Sequence, residues 1–251
     1  MNNRRNFKLT LAYEGTKFHG FQIQKDTGLP TIQESVEKAL FDLTNEEIRI
    51  MGAGRTDAGV HALGQVINFF SSTKIPVEKL PLALNTLLPP AIVVLDAQIV
   101  PPDFKAPFQA QNKTYLYQFY NQPLRSPFWR RYAYHVPFPL NLTAMQLAAQ
   151  FLVGEHNFKA FCAQGATVKS YTRTIFACSL EQDLPLIKLW VTGNGFLYNM
   201  VRILAGTILE VGQGKRQPEE IKDLLAEGER KFAGPTLPPQ GLFLYQVTYP
   251  Y

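Results

Sequence analysis

Ten consecutive residues hold the densest chemistry in this 251-residue chain: Gly52-Ala53-Gly54-Arg55-Thr56-Asp57-Ala58-Gly59-Val60-His61. They follow an apolar run that reads as a strand, and the glycines tolerate positive φ and close approach of a ligand to the backbone. Arg55 stands two residues before Asp57, and a neighbouring cation favours the ionised form of a carboxyl group. An ionised carboxylate on a shaped loop acts as a nucleophile or a base. The same residue types also suit a tight turn in which Asp57 caps a helix or pairs with Arg55. The stretch alone leaves both readings open.

Two further stretches carry reactive types. Gly195-Phe196-Leu197-Tyr198-Asn199-Met200-Val201-Arg202 places one arginine on an otherwise apolar segment. Such an arginine either meets a carboxylate or phosphate or extends its charged end to the surface. Lys113-Thr114-Tyr115-Leu116-Tyr117 opens a strand pattern with Tyr115 and Tyr117 on one face. Half-buried packing and a catalytic role are both open to that pair.

Other chemistries drop out. His19, His61, His135 and His156 share no metal-ligand spacing, so no metal site is expected. There is no G-x-S-x-G elbow and no G-x-x-x-x-G-K-[ST] phosphate loop. A dinucleotide fingerprint starting at Gly52 would need its third glycine where Asp57 stands. Cys162 and Cys178 form neither a C-x-x-C pair nor a disulfide framework, which fits a reducing cytoplasm.

The elements that must position these residues follow from periodicity. Phe7, Leu9, Leu11 and Tyr13 alternate as a strand. Thr31-Ile32-Gln33-Glu34 forms a capping box opening a helix with Ile32, Val36, Leu40 and Leu43 on one face. Strands over 48–53 and 65–70, a helix over 77–86 and a strand over 92–98 complete a β-α-β-β-α-β order. After Pro101-Pro102 and Pro107 a similar order returns. It has strands over 114–120, 173–180, 186–191 and 242–249, with helices over 143–152 and 196–210 and a short one after Pro218. The expectation is an α+β protein of two tandem ferredoxin-like β-α-β-β-α-β units, spanning 1–104 and 105–251. No residue-level repeat joins the halves, so the symmetry rests on element order alone.

Composition bounds the class. Apolar residues make up 46% and charged ones 18%, which excludes a disordered chain or a highly charged coil. The longest aliphatic run, 91–95, falls far short of the ~20 apolar residues of a membrane helix. The first ten residues alternate rather than run apolar, which reads as a first strand and not as a signal peptide. The net charge is +5, and all of the excess lies beyond residue 107. Residues 108–180 carry seven basic residues against one acidic residue, Glu155, with aromatics interleaved as in Phe128-Trp129-Arg130-Arg131-Tyr132. That pattern suits a polyanion with stackable bases, or an ordinary solvated basic face.

Together these stretches resemble the tRNA pseudouridine synthase A family. The resemblance rests on Gly54 through His61, Lys-Thr-Tyr-x-Tyr at 113–117, Gly154-Glu155-His156-Asn157-Phe158, and Phe196 through Arg202. Tyr13-Glu14-Gly15, Gly20-Phe21-Gln22 and Gly241-Leu242 extend it over essentially the whole chain. It implies isomerisation of uridine to pseudouridine in the tRNA anticodon stem–loop, at positions numbered about 38 to 40, on a base that leaves the stack to react. It also implies two ferredoxin-like halves forming a basic cleft, a homodimer, a cytoplasmic setting and no metal or organic cofactor. By the same resemblance Asp57 is the catalytic carboxylate, Tyr115 lies against the target base and Arg202 pairs with Asp57. Arg55 would help hold the flipped nucleotide. Independently of the resemblance, the basic stretch with Arg125, Arg130 and Arg131 would contact tRNA phosphates. Three roles are open to Asp57: attack on C1′, addition at C6, or proton abstraction.

Two departures stand out. Lys105 and Pro107 occupy positions where the family usually carries His and Arg, which would weaken tRNA binding or shift which uridines react. Asn199 stands where many members have His. Two other classes compete: a non-catalytic RNA-binding protein on the same scaffold, and a metal-dependent nuclease with paired carboxylates. The intact Asp57 opposes the first. The second lacks a partner carboxylate, since only Glu47 lies within ten residues of Asp57, on the far side of a strand.

Overall fold

The computed structural model describes residues 4–24, 28–165 and 168–250, which include every candidate site residue. The fold is mixed α+β with mostly antiparallel strand pairing, and the chain divides into two compact units. The first comprises Met1–Gln111 and Leu244–Tyr251, the second Asn112–Phe243.

In the first unit, strand β1 (Arg5–Tyr13) buries Phe7, Leu9, Leu11 and Tyr13, the period-2 face that the sequence predicts. Helix α1 (Ile32–Thr44) opens on the expected capping box. The Glu34 N–H donates to Thr31 Oγ1 at 3.2 Å and the Thr31 N–H to Glu34 Oε2 at 2.8 Å. Each such cap contributes roughly 1 kcal/mol. Strands β2 (Met51–Gly52) and β3 (His61–Ser71), helix α2 (Leu80–Asn85) and strand β4 (Ile92–Val100) follow. Strand β1 lies between β4 and β3, and β2 pairs with β3, all antiparallel.

Two elements differ from expectation for identifiable reasons. The strand expected over 48–53 shrinks to β2, because the Ile50 N–H donates to the Glu37 carboxylate of α1 rather than to a neighbouring strand. The helix expected over 77–86 splits into a 3-10 turn (Val77–Lys79) and α2. Pro81 has no N–H to return to the Val77 carbonyl.

The boundary expected at residue 104 also moves. Residues 101–106 are fastened to the first unit by a buried amide pair. Asn6 Nδ2 donates to the carbonyls of Pro101 (3.0 Å) and Phe104 (2.9 Å), and the Ala106 N–H donates to Asn68 Oδ1 at 2.9 Å. Helix α3 (Ala106–Gln109) therefore belongs to the first unit, with Lys105 exposed at its start and Pro107 in its first turn.

The second unit carries β5 (Asn112–Asn121), β6 (Tyr134–Val136), α4 (Leu142–Gln150), β7 (Gly154–Asn157), β8 (Thr172–Asp183) and β9 (Leu186–Gly193). The order is β5-β9-β8-β7, antiparallel throughout, with β6 parallel on β5. The stretch Gly154–Asn157 is a strand that periodicity did not reveal. Helix α5 (Met200–Gly212) buries Ile203, Leu204, Thr207, Ile208 and Val211, the face read from their spacing. It starts at Met200 and not at Phe196, because Asn199 is left-handed at φ +58°. Helix α6 (Glu220–Glu227) and strand β10 (Leu242–Thr248) complete the chain. No helix among the described residues is long and apolar enough to cross a membrane.

Candidate active site

The stretch between β2 and β3 leaves the first unit's sheet at Gly52 and returns at His61. Its backbone is held from both directions. The Phe21 N–H donates to the Thr56 carbonyl at 3.0 Å, and the Val60 N–H donates to the Asp57 carbonyl at 3.1 Å. Gly20 has φ +76°, and a Cβ there would lie 2.6 Å from the Thr56 carbonyl oxygen and 3.1 Å from the Asp57 carbonyl carbon. Only glycine lets the two loops touch at this point. In turn, the carbonyls of Gly20 and Phe21 accept from the Ile32 and Gln33 N–H groups at 3.1 and 2.9 Å. Those first-turn amides have no partner inside α1. The start of α1 is thereby linked, through two residues, to the backbone of Asp57.

Beneath the loop lies a polar anchor. Tyr13 Oη and Thr56 Oγ1 are 2.8 Å apart, and Gln65 Nε2 donates to the Gly54 carbonyl at 2.8 Å. Burial pushes the Tyr13 hydroxyl up to about 12, against its hydrogen bonds with Thr56 and Gln65, which lower it. His61 is buried, and its Nδ1 accepts from the Gly15 N–H at 3.0 Å, so that nitrogen carries no proton. Thr56 is thus locked, with exposed Arg55 on one side and half-buried Asp57 on the other. The backbone that carries the Asp57 side chain is thereby held in one place.

The second unit groups the other predicted residues. Tyr115 is 8% exposed, and its ring meets Phe196 edge-on, with centroids 4.9 Å apart and planes at 78°. Tyr117, on the same face of β5, is fully buried, donates its hydroxyl to the Pro238 carbonyl at 2.8 Å, and feels the charge of Arg202. Burial raises that hydroxyl far above its ordinary value. Arg202 Nε donates to the Leu237 carbonyl at 2.6 Å, and Nη1 donates to Asn199 Oδ1 at 2.7 Å. The arginine is therefore built into the packing rather than extended to the surface.

Arg130 and Arg131 close the 3-10 turn Trp129–Arg131, with Arg130 exposed and Arg131 half-buried. Gln118 Nε2 fastens this turn to β5 by donating to the Tyr132 carbonyl at 2.9 Å. Arg125, Leu124 and Phe128 nearby are exposed, the last two by 81% and 84%.

The sequence marked Arg55, Asp57, Tyr115, Arg202, Arg130 and Arg131. It did not assign the residues that mount them: Tyr13, Gly20, Phe21, Gln65 and Asn199. One signal was available, a tyrosine ending an alternating apolar strand, whose buried hydroxyl must find a partner. The contact of Gly20 with Asp57 spans thirty-seven positions and leaves no local trace.

Comparison of the sequence with known proteins points to one family. The sequence model of the family described as tRNA pseudouridine synthase matches residues 10–109 and 148–250. The chain is 47% identical over 243 residues to tRNA pseudouridine synthase A of Syntrophomonas wolfei, covering 97% of each chain. It is 48% identical over 244 residues to the protein of that name from Brevibacillus brevis, covering 96% of this chain and 98% of the relative. A relative from Moorella thermoacetica with the same name is 47% identical over 242 residues, covering 96% and 98%. The matched segments contain the clamped Asp57 loop, β8, β9 and the start of α5, and the chain belongs to the tRNA pseudouridine synthase family.

Proposed function

We propose that the protein isomerises uridine to pseudouridine in the anticodon stem–loop of tRNA, at positions numbered about 38 to 40, on a base turned out of the stack. The observation that carries this reading is the Arg55-Thr56-Asp57 loop, mounted on Tyr13, Gly20 and α1 in a chain of this family. In the reaction the N1–C1′ bond breaks, uracil turns, C5 joins C1′, the C5 proton leaves and N1 ends protonated. Asp57 supplies the anionic oxygen that this exchange needs. Arg202 pairs with Asp57. Tyr115 lies against the uracil, its ring already oriented by Phe196. Arg55 holds the displaced nucleotide, and Arg130 and Arg131 contact tRNA phosphates. No metal or organic cofactor takes part.

The architecture proposed with this function is a pair of ferredoxin-like units forming a basic cleft. The first unit's β1-α1-β2-β3-α2-β4 order, with β1 between β4 and β3, supports it; the second runs β5-β6-α4-β7-β8-β9-α5, with β9 between β5 and β8. A homodimer working in the cytoplasm completes the proposal.

The test uses tRNA carrying tritium at C5 of uridine, incubated with the protein with and without EDTA. Tritium release that survives EDTA, with the strands intact, is expected. Strand cleavage, or release abolished by the chelator, would assign the protein to the nuclease class. Binding without release would leave an RNA-binding protein.

A further inference from the structure

Asn199 immediately precedes α5, and its backbone is left-handed, with φ +58° and ψ +10°. Asparagine is among the few residues other than glycine that adopt this conformation readily. Before a helix, an asparagine side chain ordinarily accepts from an amide of the first turn. Here it makes no such bond. Its Oδ1 accepts instead from Arg202 Nη1 at 2.7 Å. The other side of the guanidinium is held by Leu237, whose carbonyl accepts from Nε at 2.6 Å. The Leu237 N–H returns to the Arg202 carbonyl at 3.2 Å, so the Leu237 backbone is itself fixed to the helix.

An arginine side chain has many rotamers, and a planar guanidinium serves a carboxylate well only at a defined orientation. Asn199 and Leu237 together define that orientation. A capping residue that forgoes its local bond for a bond to a neighbouring cation breaks the usual helix-start rule, which is the mark of a residue serving a site. We propose that Asn199 is a positioning residue for Arg202 in the isomerisation. It acts through the guanidinium and does not touch the substrate. The inference rests on the reading of Arg202 as part of the active site.

Asn199→Gly retains the left-handed backbone and deletes the oxygen. The rate on tRNA falls roughly 10- to 100-fold while KM for tRNA stays within about twofold, because orientation and not binding is lost. Asn199→Asp keeps an acceptor at the same reach and retains at least about tenfold more of the rate than the glycine variant. In an Arg202→Lys background, which lacks Nη1, Asn199→Gly adds less than about twofold. Circular dichroism checks that the glycine variant is folded; if it is not, Asn199→Ser, whose hydroxyl falls short of Nη1, replaces it. Three results overturn the proposal: a wild-type rate in the deletion variant, an aspartate variant no better than the glycine one, or a loss undiminished in the Arg202→Lys background. A wild-type rate for Arg202→Lys itself instead removes Arg202 from the site, and with it the reading underneath.

Discussion

At position 57, Asp and Asn have nearly the same shape and differ in one charge. The bonds from the Phe21 N–H to the Thr56 carbonyl and from the Val60 N–H to the Asp57 carbonyl are made by peptide groups, so Asp57→Asn leaves them in place. The amide supplies no anionic oxygen, and tritium release should fall at least about 100-fold while filter-binding affinity for tRNA stays near wild type. Retention of more than a few per cent of the rate would remove Asp57 from the chemistry. Tyr115 poses the complementary question. Tyr115→Phe keeps the edge-on contact of the ring with Phe196. If the hydroxyl helps the C5 proton leave, single-turnover rates drop while binding holds. Tyr115→Ala should also lose the roughly 1–3 kcal/mol of a stacked base. A Phe variant with the wild-type rate would confine Tyr115 to packing or stacking.

At the scale of the element, the loop 53–60 is only as good as its clamp. Gly20→Ala places a methyl group 2.6 Å from the Thr56 carbonyl oxygen at φ +76°, which costs at least about 2 kcal/mol and displaces Asp57. A lowered urea midpoint together with a lowered rate is expected; a change in stability alone would uncouple the clamp from catalysis. Tyr13 gives the same element a pH signature. Its hydroxyl is held at about 12 in the folded protein, above its ordinary 10, because burial disfavours the phenolate. Below pH 10 both states keep the proton and the stability is fully present. Between pH 10 and 12 the unfolded chain releases it first, so stability falls as pH rises, by roughly 3 kcal/mol in the buried limit. Tyr13→Phe lacks this slope but leaves the Thr56 hydroxyl without that partner. The wild type should therefore be the more stable at pH 8, and its advantage should shrink through this window in urea titrations. A constant difference from pH 8 to 12 would rule the linkage out.

For the molecule as a whole, the proposed encounter with RNA is tested through charge. The excess of positive charge lies entirely beyond residue 107, and the stretch from 104 to 154 holds no carboxylate. Arg125 and Arg130 are exposed among aromatic and aliphatic side chains. Replacing either with Ala should weaken binding evenly across tRNAs and lower the slope of log affinity against log salt by about 1. An unchanged slope would return that arginine to an ordinary solvated face.

Strand β1, the capping box of α1 and the buried face of α5 were legible because each depends on neighbours within a few residues, where side-chain period and helix-end chemistry leave a direct imprint. Asp57, Arg55, Tyr115 and Arg202 were legible as residue types in distinctive short motifs. The tertiary structure alone decided what holds them. It shortened β2 by giving the Ile50 amide to Glu37, kept residues 101–109 with the first unit through Asn6 and Asn68, and started α5 at Met200. It also set Gly20 against Asp57 and turned Asn199 toward Arg202. Each depends on where the fold brings a backbone or polar group against its partner, and periodicity carries no record of such placements.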